Sequence, residues 1–167
     1  MFPYAMTPLG PSPTAPWTDA VLPGQRGPAP PCSARAQFTL PAQEALVGRL
    51  RAVAADQFTC WRLSGDERDS AVLIVGELAA NAARHGCSEM TLCLLLDPGM
   101  LRIVVSDHGD PAPGPARSAD GDPDEHGRGL DIVRALSIRV DLRHHDGGTW
   151  VLAHISIDSQ SCSRIVC

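Results

Sequence analysis

Two hydrophobic periods alternate along this chain. In "AQFTL", Phe38 and Leu40 stand two apart, the spacing of a short strand with one apolar face. After Pro41 the period lengthens: Leu46, Leu50, Val53 and Ala54 recur at helical spacing and predict a helix from about 42 to 60. "LSGD" reads as a turn. Asp66 is then placed to cap a second helix reaching about Arg84, with acids in its first turn and Gly86 just past its end. "EMTLCLLL" and "MLRIVVSD" return to strand patterning, and the "DPG" between them predicts a hairpin. Residues 108–126 carry no apolar period, and a loop of that length in a small domain is usually a lid or a binding loop. "GRGLDIVRALS" opens a further helix with Leu130, Val133 and Leu136 on one stripe. "IRVDLRH", a turn at "HDGG" and "TWVLAHISI" make a second hairpin. Helices gathered in the first half with strands mostly in hairpins predict a two-layer α+β sandwich on a mainly antiparallel sheet. No internal repeat is apparent.

Composition sets the limits of the domain. The 167 residues suffice for one domain with a real core. Residues 1–34 contain nine of the fifteen prolines and are expected to be a disordered tail. The folded domain is expected over 35–158, followed by a polar tail at 159–167. A formal charge of -5 with no basic cluster argues against nucleic acid or an anionic membrane as partner. All fourteen basic residues are arginine, which removes every chemistry that needs a lysine, the Walker phosphate loop included. The six cysteines form no CxxC pair and read as reduced thiols. With no signal peptide and no apolar stretch of membrane-spanning length, the expected location is the cytoplasm.

Four features carry candidate chemistry. Glu77 and Asn81, four apart on the second helix, share one face. They are either a solvated polar patch or, given Ile74, Val75, Leu78, Ala79 and Ala82 around them, the polar edge of a buried region that needs partners. A carboxylate beside an amide oxygen suits a proton acceptor next to a hard-cation ligand. Alternation places Asp107 on the face of Leu101, Ile103 and Val105. It is either a turn-forming strand end or an acid awaiting a donor such as a purine amine, with Gly109 giving a flat ring access to the backbone. Gly127 and Gly129 at the expected start of the lid-side helix could offer N–H groups to phosphate. A lone GxG is a weak signal, and no strand precedes it as a dinucleotide fingerprint requires. Thr149 falls on the face of Val151, Ala153 and Ile155, where strand propensity alone could account for it. A metal-dependent phosphohydrolase built from His85, Asp107, His108, His126, His144 and His145 is a competing reading, although these histidines follow no ligand spacing.

Taken in order, ELxxNAxxHG, DxGxP, a long lid, GRGL and GT before a last strand, the set resembles the GHKL (Bergerat-fold) ATPases. Within that superfamily it is most similar to the stand-alone anti-sigma-factor serine/threonine kinases of actinomycete type. The likeness covers roughly residues 36–157. It implies ATP and Mg²⁺ as cofactors, with Asn81 binding the metal and Glu77 as general base. It also implies that Asp107 accepts the adenine amine, with Gly109 lining the base pocket and Thr149 reaching the ring edge. Gly127, Arg128, Gly129 and Leu130 would receive the phosphates under the lid. The implied partners are a sigma factor and an anti-sigma-factor antagonist, with homodimerisation left open. The alternative within this likeness is a nucleotide-responsive partner binder without catalysis. The adenine box departs from the commoner DxGxG by having Pro111 in place of its last glycine, and the lid has few glycines.

Overall fold

The computed structural model of the chain describes residues 33–85, 88–108, 123–145 and 148–158. Its elements are β1 (Ala34–Pro41), α1 (Glu44–Cys60), α2 (Gly65–His85), β2 (Glu89–Asp97), β3 (Met100–His108), α3 (Pro123–Leu136), β4 (Arg139–His145) and β5 (Gly148–Ser156). The strands form one five-stranded sheet in the order β1-β2-β3-β5-β4, every neighbouring pair antiparallel. Both expected hairpins are present, and β1 joins the edge of the first. The architecture is the expected α+β sandwich.

The sheet buries its two faces differently. On the helix side, Met90, Leu92, Leu94 and Leu96 of β2, Leu101, Ile103 and Val105 of β3, and Val151, Ala153 and Ile155 of β5 form one cluster with the helices. Leu50, Ala54 and Phe58 enter it from α1, Ile74, Val75 and Leu78 from α2, and Val133 from α3. Each such large side chain contributes about 1.5–3 kcal/mol on leaving water. On the other side, Cys93, Val104, Trp150 and Leu152 form a second, smaller cluster. "EMTLCLLL" is therefore nearly continuous in apolar residues because both of its faces are buried.

Where elements begin differs from the sequence reading in three places. α1 starts at Glu44, after Gln43 in extended conformation. Ser64, not Asp66, caps α2: the Ser64 N–H donates to Glu67 Oε2 at 2.8 Å, and the Glu67 N–H donates back to Ser64 Oγ at 3.4 Å, a reciprocal capping box. Glu67 also accepts the Asp158 N–H at 2.6 Å, tying the chain beyond β5 to the start of α2. α3 starts at Pro123, one turn before the expected Gly127. Proline suits a first helical position, since its φ is preset and the N–H it lacks would have had no intrahelical partner. Cys60 is disulfide-bonded, contrary to the reduced state expected of it, whereas Cys93 is a free buried thiol. Residues 1–32 and 159–167, Gly109 and most of the long loop lie outside the described residues, and Ala34, the last residue of the expected tail, already belongs to β1. Among the described residues no helix is long and apolar enough to cross a membrane.

Candidate functional site

Helix α2 carries one half of the candidate site. Its buried stripe of Ala71, Ile74, Val75, Leu78, Ala79 and Ala82 faces the sheet, which leaves Glu77 and Asn81 half-buried along the border. They line a cavity of about 160 Å³ together with Leu78, Ala80 and Arg84 from α2 and Arg128, Gly129 and Leu130 from α3. Among the described residues none of the four polar side chains there, Glu77, Asn81, Arg84 and Arg128, makes a hydrogen bond or ion pair. Among the described residues the buried polar side-chain atoms that lack a partner are Arg102 Nε and Ser137 Oγ, neither of them in the cleft. Of the two alternatives for Glu77 and Asn81, the polar edge of a buried region is the observed one.

Gly129 closes the cleft against Glu77. A Cβ at this position would lie 2.7 Å from Glu77 Oε2, so the α3 backbone rests directly on the carboxylate. That approach explains a glycine in the body of a helix, where it costs about 1 kcal/mol relative to alanine. Because α3 begins at Pro123, Gly127 and Gly129 lie past its first turn, and the expectation that they form the exposed start of the helix is corrected. The N–H groups without intrahelical partners belong to that first turn.

The other half of the site is built on the sheet. Asp107 continues the face of Leu101, Ile103 and Val105, which is the helix side, as alternation predicts. The pairing of β3 with β5 ends at Ser106 and Trp150, and one residue further Asp107 Oδ1 accepts the Thr149 N–H at 2.8 Å. A side chain thus takes over from the backbone ladder and orients the carboxylate. Gly148, at φ +134°, makes this fit possible: a Cβ there would fall 2.1 Å from the Asp107 carbonyl oxygen and 2.8 Å from Oδ1. Sequence reasoning missed Gly148 as a site residue, although the "GG" before Thr149 was its signal. It also assigned nothing to Arg84, which the cavity includes.

The two halves are joined at the end of α2. The Ser88 N–H donates to the His108 carbonyl at 3.2 Å, and the Ser88 hydroxyl donates to the same oxygen. With Met90 opposite Asp107 in register, the C-terminal turn of α2 lies at the Asp107 end of the sheet. Asn81 and Asp107 are accordingly on the same side of the fold. Asp107 and Thr149 do not line the cavity itself, which is enclosed by α2 and α3. Chemically, the cleft pairs an acceptor and an amide oxygen with two guanidinium groups, a set suited to a polyanion with a bound hard cation. Mg²⁺ fits this donor set, because it keeps several waters and takes one or two protein oxygens beside phosphate oxygens. Asn81 would supply that oxygen. Among the described residues no group of three or more His, Cys, Asp or Glu side chains is placed to hold a metal.

Titration is perturbed on the opposite face of the sheet. His154 Nε2 lies 3.5 Å from Asp141 Oδ2. Burial is the largest influence on it and pushes its pKa below the ordinary 6.5; Asp141 opposes this, and Arg102 and Arg139 reinforce it. Burial pushes the Cys93 thiol up, against the opposing effect of Arg35.

The comparisons with known proteins follow the same lines. No curated protein matches the chain. The structure of the RsbU and RsbW domains of Rv1364c from Mycobacterium tuberculosis is similar, with a TM-score of 0.57 and 18% identity over 74% of this chain and 32% of that chain. The chain spans about a third of that protein's length, and the likeness is one of fold. The histidine kinase domain from the Erythrobacter litoralis EL346 blue-light activated histidine kinase is similar with a TM-score of 0.41 and 17% identity, over 75% of this chain and 66% of that one. Residues 40–155, more than half of the sequence, match the histidine kinase-like ATPase domain, and the chain belongs to that family.

Proposed function

We propose that the chain is an ATP-binding protein serine/threonine kinase of the anti-sigma-factor type, which transfers the γ-phosphoryl group of ATP to a protein antagonist and regulates a sigma factor. Membership of an ATPase-domain family supports ATP as the ligand. The observation that carries the reading is the cleft between α2 and α3, where Glu77, Asn81, Arg84 and Arg128 line one cavity and have no hydrogen-bond or ion-pair partner among the described residues. Adenine would be read by Asp107, whose Oδ1 is held by the Thr149 N–H and whose second carboxylate oxygen accepts no hydrogen bond among the described residues and suits an exocyclic amine. Gly109 and Thr149 would flank the ring.

In the transfer step, a serine or threonine hydroxyl oxygen of the antagonist forms a bond to the γ-phosphorus as the bond to the β,γ-bridging oxygen breaks. Glu77 takes the hydroxyl proton and ADP leaves. Gly127, Arg128, Gly129 and Leu130 would hold the phosphates, and Mg²⁺ on Asn81 would neutralise their charge. The α3 backbone at Gly129 rests against the Glu77 carboxylate and limits the positions it can take. Replacing Glu77 by Ala and following labelled phosphate from ATP to a candidate antagonist tests the assignment. Transfer is expected to fall on the order of a hundredfold or more while ATP binding persists. Unchanged transfer removes Glu77 as the base, and ATP binding without transfer in the native chain favours the non-catalytic regulator.

A further inference from the structure

All three helices pack on one face of the sheet, and the other face is nevertheless dry. Register sets Leu95, Arg102 and His154 in one row across that outer face and Thr91, Ser106 and Trp150 in another. An antiparallel sheet with helices on one side commonly leaves its second face to water and makes it polar. Here the centre of that face is Cys93, Val104, Trp150 and Leu152, a cluster that draws no residue from a helix. Trp150 keeps only 8% of its surface exposed and Leu152 only 4%, whereas Leu142, on the edge strand β4, keeps 45%. Side chains on one sheet face stand side by side, so they shield one another's flanks but not their outer ends. Exposure as low as that of Trp150 therefore requires a segment lying over the face.

We propose that this segment is the chain's own residues 1–32, docked across the outer face of the sheet. The C-terminal residues leave in the other direction: Ile157 belongs to the helix-side cluster, and the Asp158 N–H donates to Glu67 at the start of α2. The long loop runs from β3 into α3, which also packs on the helix side. Residues 1–32 instead enter the fold at β1, the edge strand whose Arg35 pairs with Leu95 in the first of the two rows. From there β5 is three strand spacings away, about 15 Å, and 32 residues of extended proline-rich chain reach on the order of 100 Å. The chemistry of the two surfaces also matches. Residues 1–32 carry Phe2, Tyr4, Leu9 and Trp17 among nine prolines, apolar groups for an apolar face. Proline keeps its carbonyl but has no N–H, so such a segment offers more acceptors than donors. On the face, the buried Arg102 Nε is a donor without a partner among the described residues. A segment too poor in apolar surface to fold alone can order on a surface that supplies the rest. The nucleotide reading is independent of this contact, because the cleft lies on the helix side.

The test is hydroxyl-radical footprinting of the full chain, with oxidation of Trp150 and Cys93 mapped by mass spectrometry. The native chain is compared with a variant carrying Phe2→Ser, Tyr4→Ser, Leu9→Ser and Trp17→Ser together. Trp150 is expected to be protected in the native chain at every protein concentration. In the variant its oxidation should rise about fivefold, as exposure moves from 8% toward the 45% of Leu142. Trp61, buried in the helix-side core, is the internal control and should stay protected in both. Equal protection of Trp150 in the two chains overturns the assignment, as does rapid oxidation in the native one. Native protection that disappears on dilution assigns the cover to a second copy, and a parallel rise at Trp61 assigns the change to loss of the fold. Either result also overturns it.

Discussion

The sheet half of the candidate site is held by its own chain, and the helix half is not. Asp107 is oriented by the Thr149 N–H at 2.8 Å, with Gly148 pressed against its backbone. Glu77, Asn81, Arg84 and Arg128 line their cavity with no partner among the described residues. A preset acceptor suits a flat neutral group that always arrives in one pose, because its geometry is settled before binding. Unpartnered charges and amides suit a polyanion with its metal, since the ligand itself completes their bonding. Under the proposed function, the contrast would divide recognition of the ring from handling of the phosphates, so that each half can be disturbed separately.

The largest effect is expected at Gly148. Its φ of +134° strains any side chain and a Cβ would collide with the Asp107 carbonyl oxygen, so Gly148→Ala should destabilise the fold by about 3 kcal/mol or more, read from denaturant unfolding. Next, Asp107→Asn keeps the shape of the side chain but presents a charge-free amide, and ATP affinity should fall by about 10- to 100-fold, measured by titration. Stability should change far less than with Gly148→Ala, which separates the ring half from the scaffold. In the helix half, Gly129→Ala would put a methyl group 2.7 Å from the free end of Glu77, a flexible group able to turn aside. The fold should persist. Phosphate transfer should slow by on the order of tenfold to a hundredfold with ADP affinity unchanged, because a displaced carboxylate reacts poorly but the diphosphate does not touch it.

The smallest effect is expected far from the site. His154 has its folded pKa held below 6.5, so its neutral form is favoured by folding. Its contribution to stability is intact above pH 6.5 and is lost as pH falls through the depressed folded value, because the unfolded chain then binds the proton more readily. His154→Gln should flatten that part of the stability profile, followed by denaturant midpoints across mildly acidic pH, and leave nucleotide affinity at neutral pH as it was. A change in affinity would mean that the two faces of the sheet are coupled.

Much of this arrangement was legible in the sequence because it is periodic. The alternation in "LRIVVSD" placed Asp107 on the helix side, and helical spacing set Glu77 and Asn81 on one border of α2. Features decided by contacts between distant segments were not legible. Ser64 and Asp66 are both good caps, and only the reciprocal bond with Glu67 shows which acts. The glycines at 127 and 129 resembled a helix start, yet Gly129 is there because Glu77 lies across from it. Gly148 was visible only as part of a turn, since its closeness to Asp107 depends on the pairing of β5 with β3. Arg84 receives no role from the sequence, because only the packing of α3 on α2 makes it part of the cavity lining.

The central claim is that the cleft between α2 and α3 and the Asp107 end of the sheet bind one Mg²⁺-nucleotide together. Calorimetric titration of ATP into the full chain, with Mg²⁺ and then with the metal chelated, tests it most directly. The account predicts saturable uptake of one ATP per chain, markedly weakened when Mg²⁺ is removed and again in Asn81→Ala. No saturable uptake of ATP under either condition would contradict it.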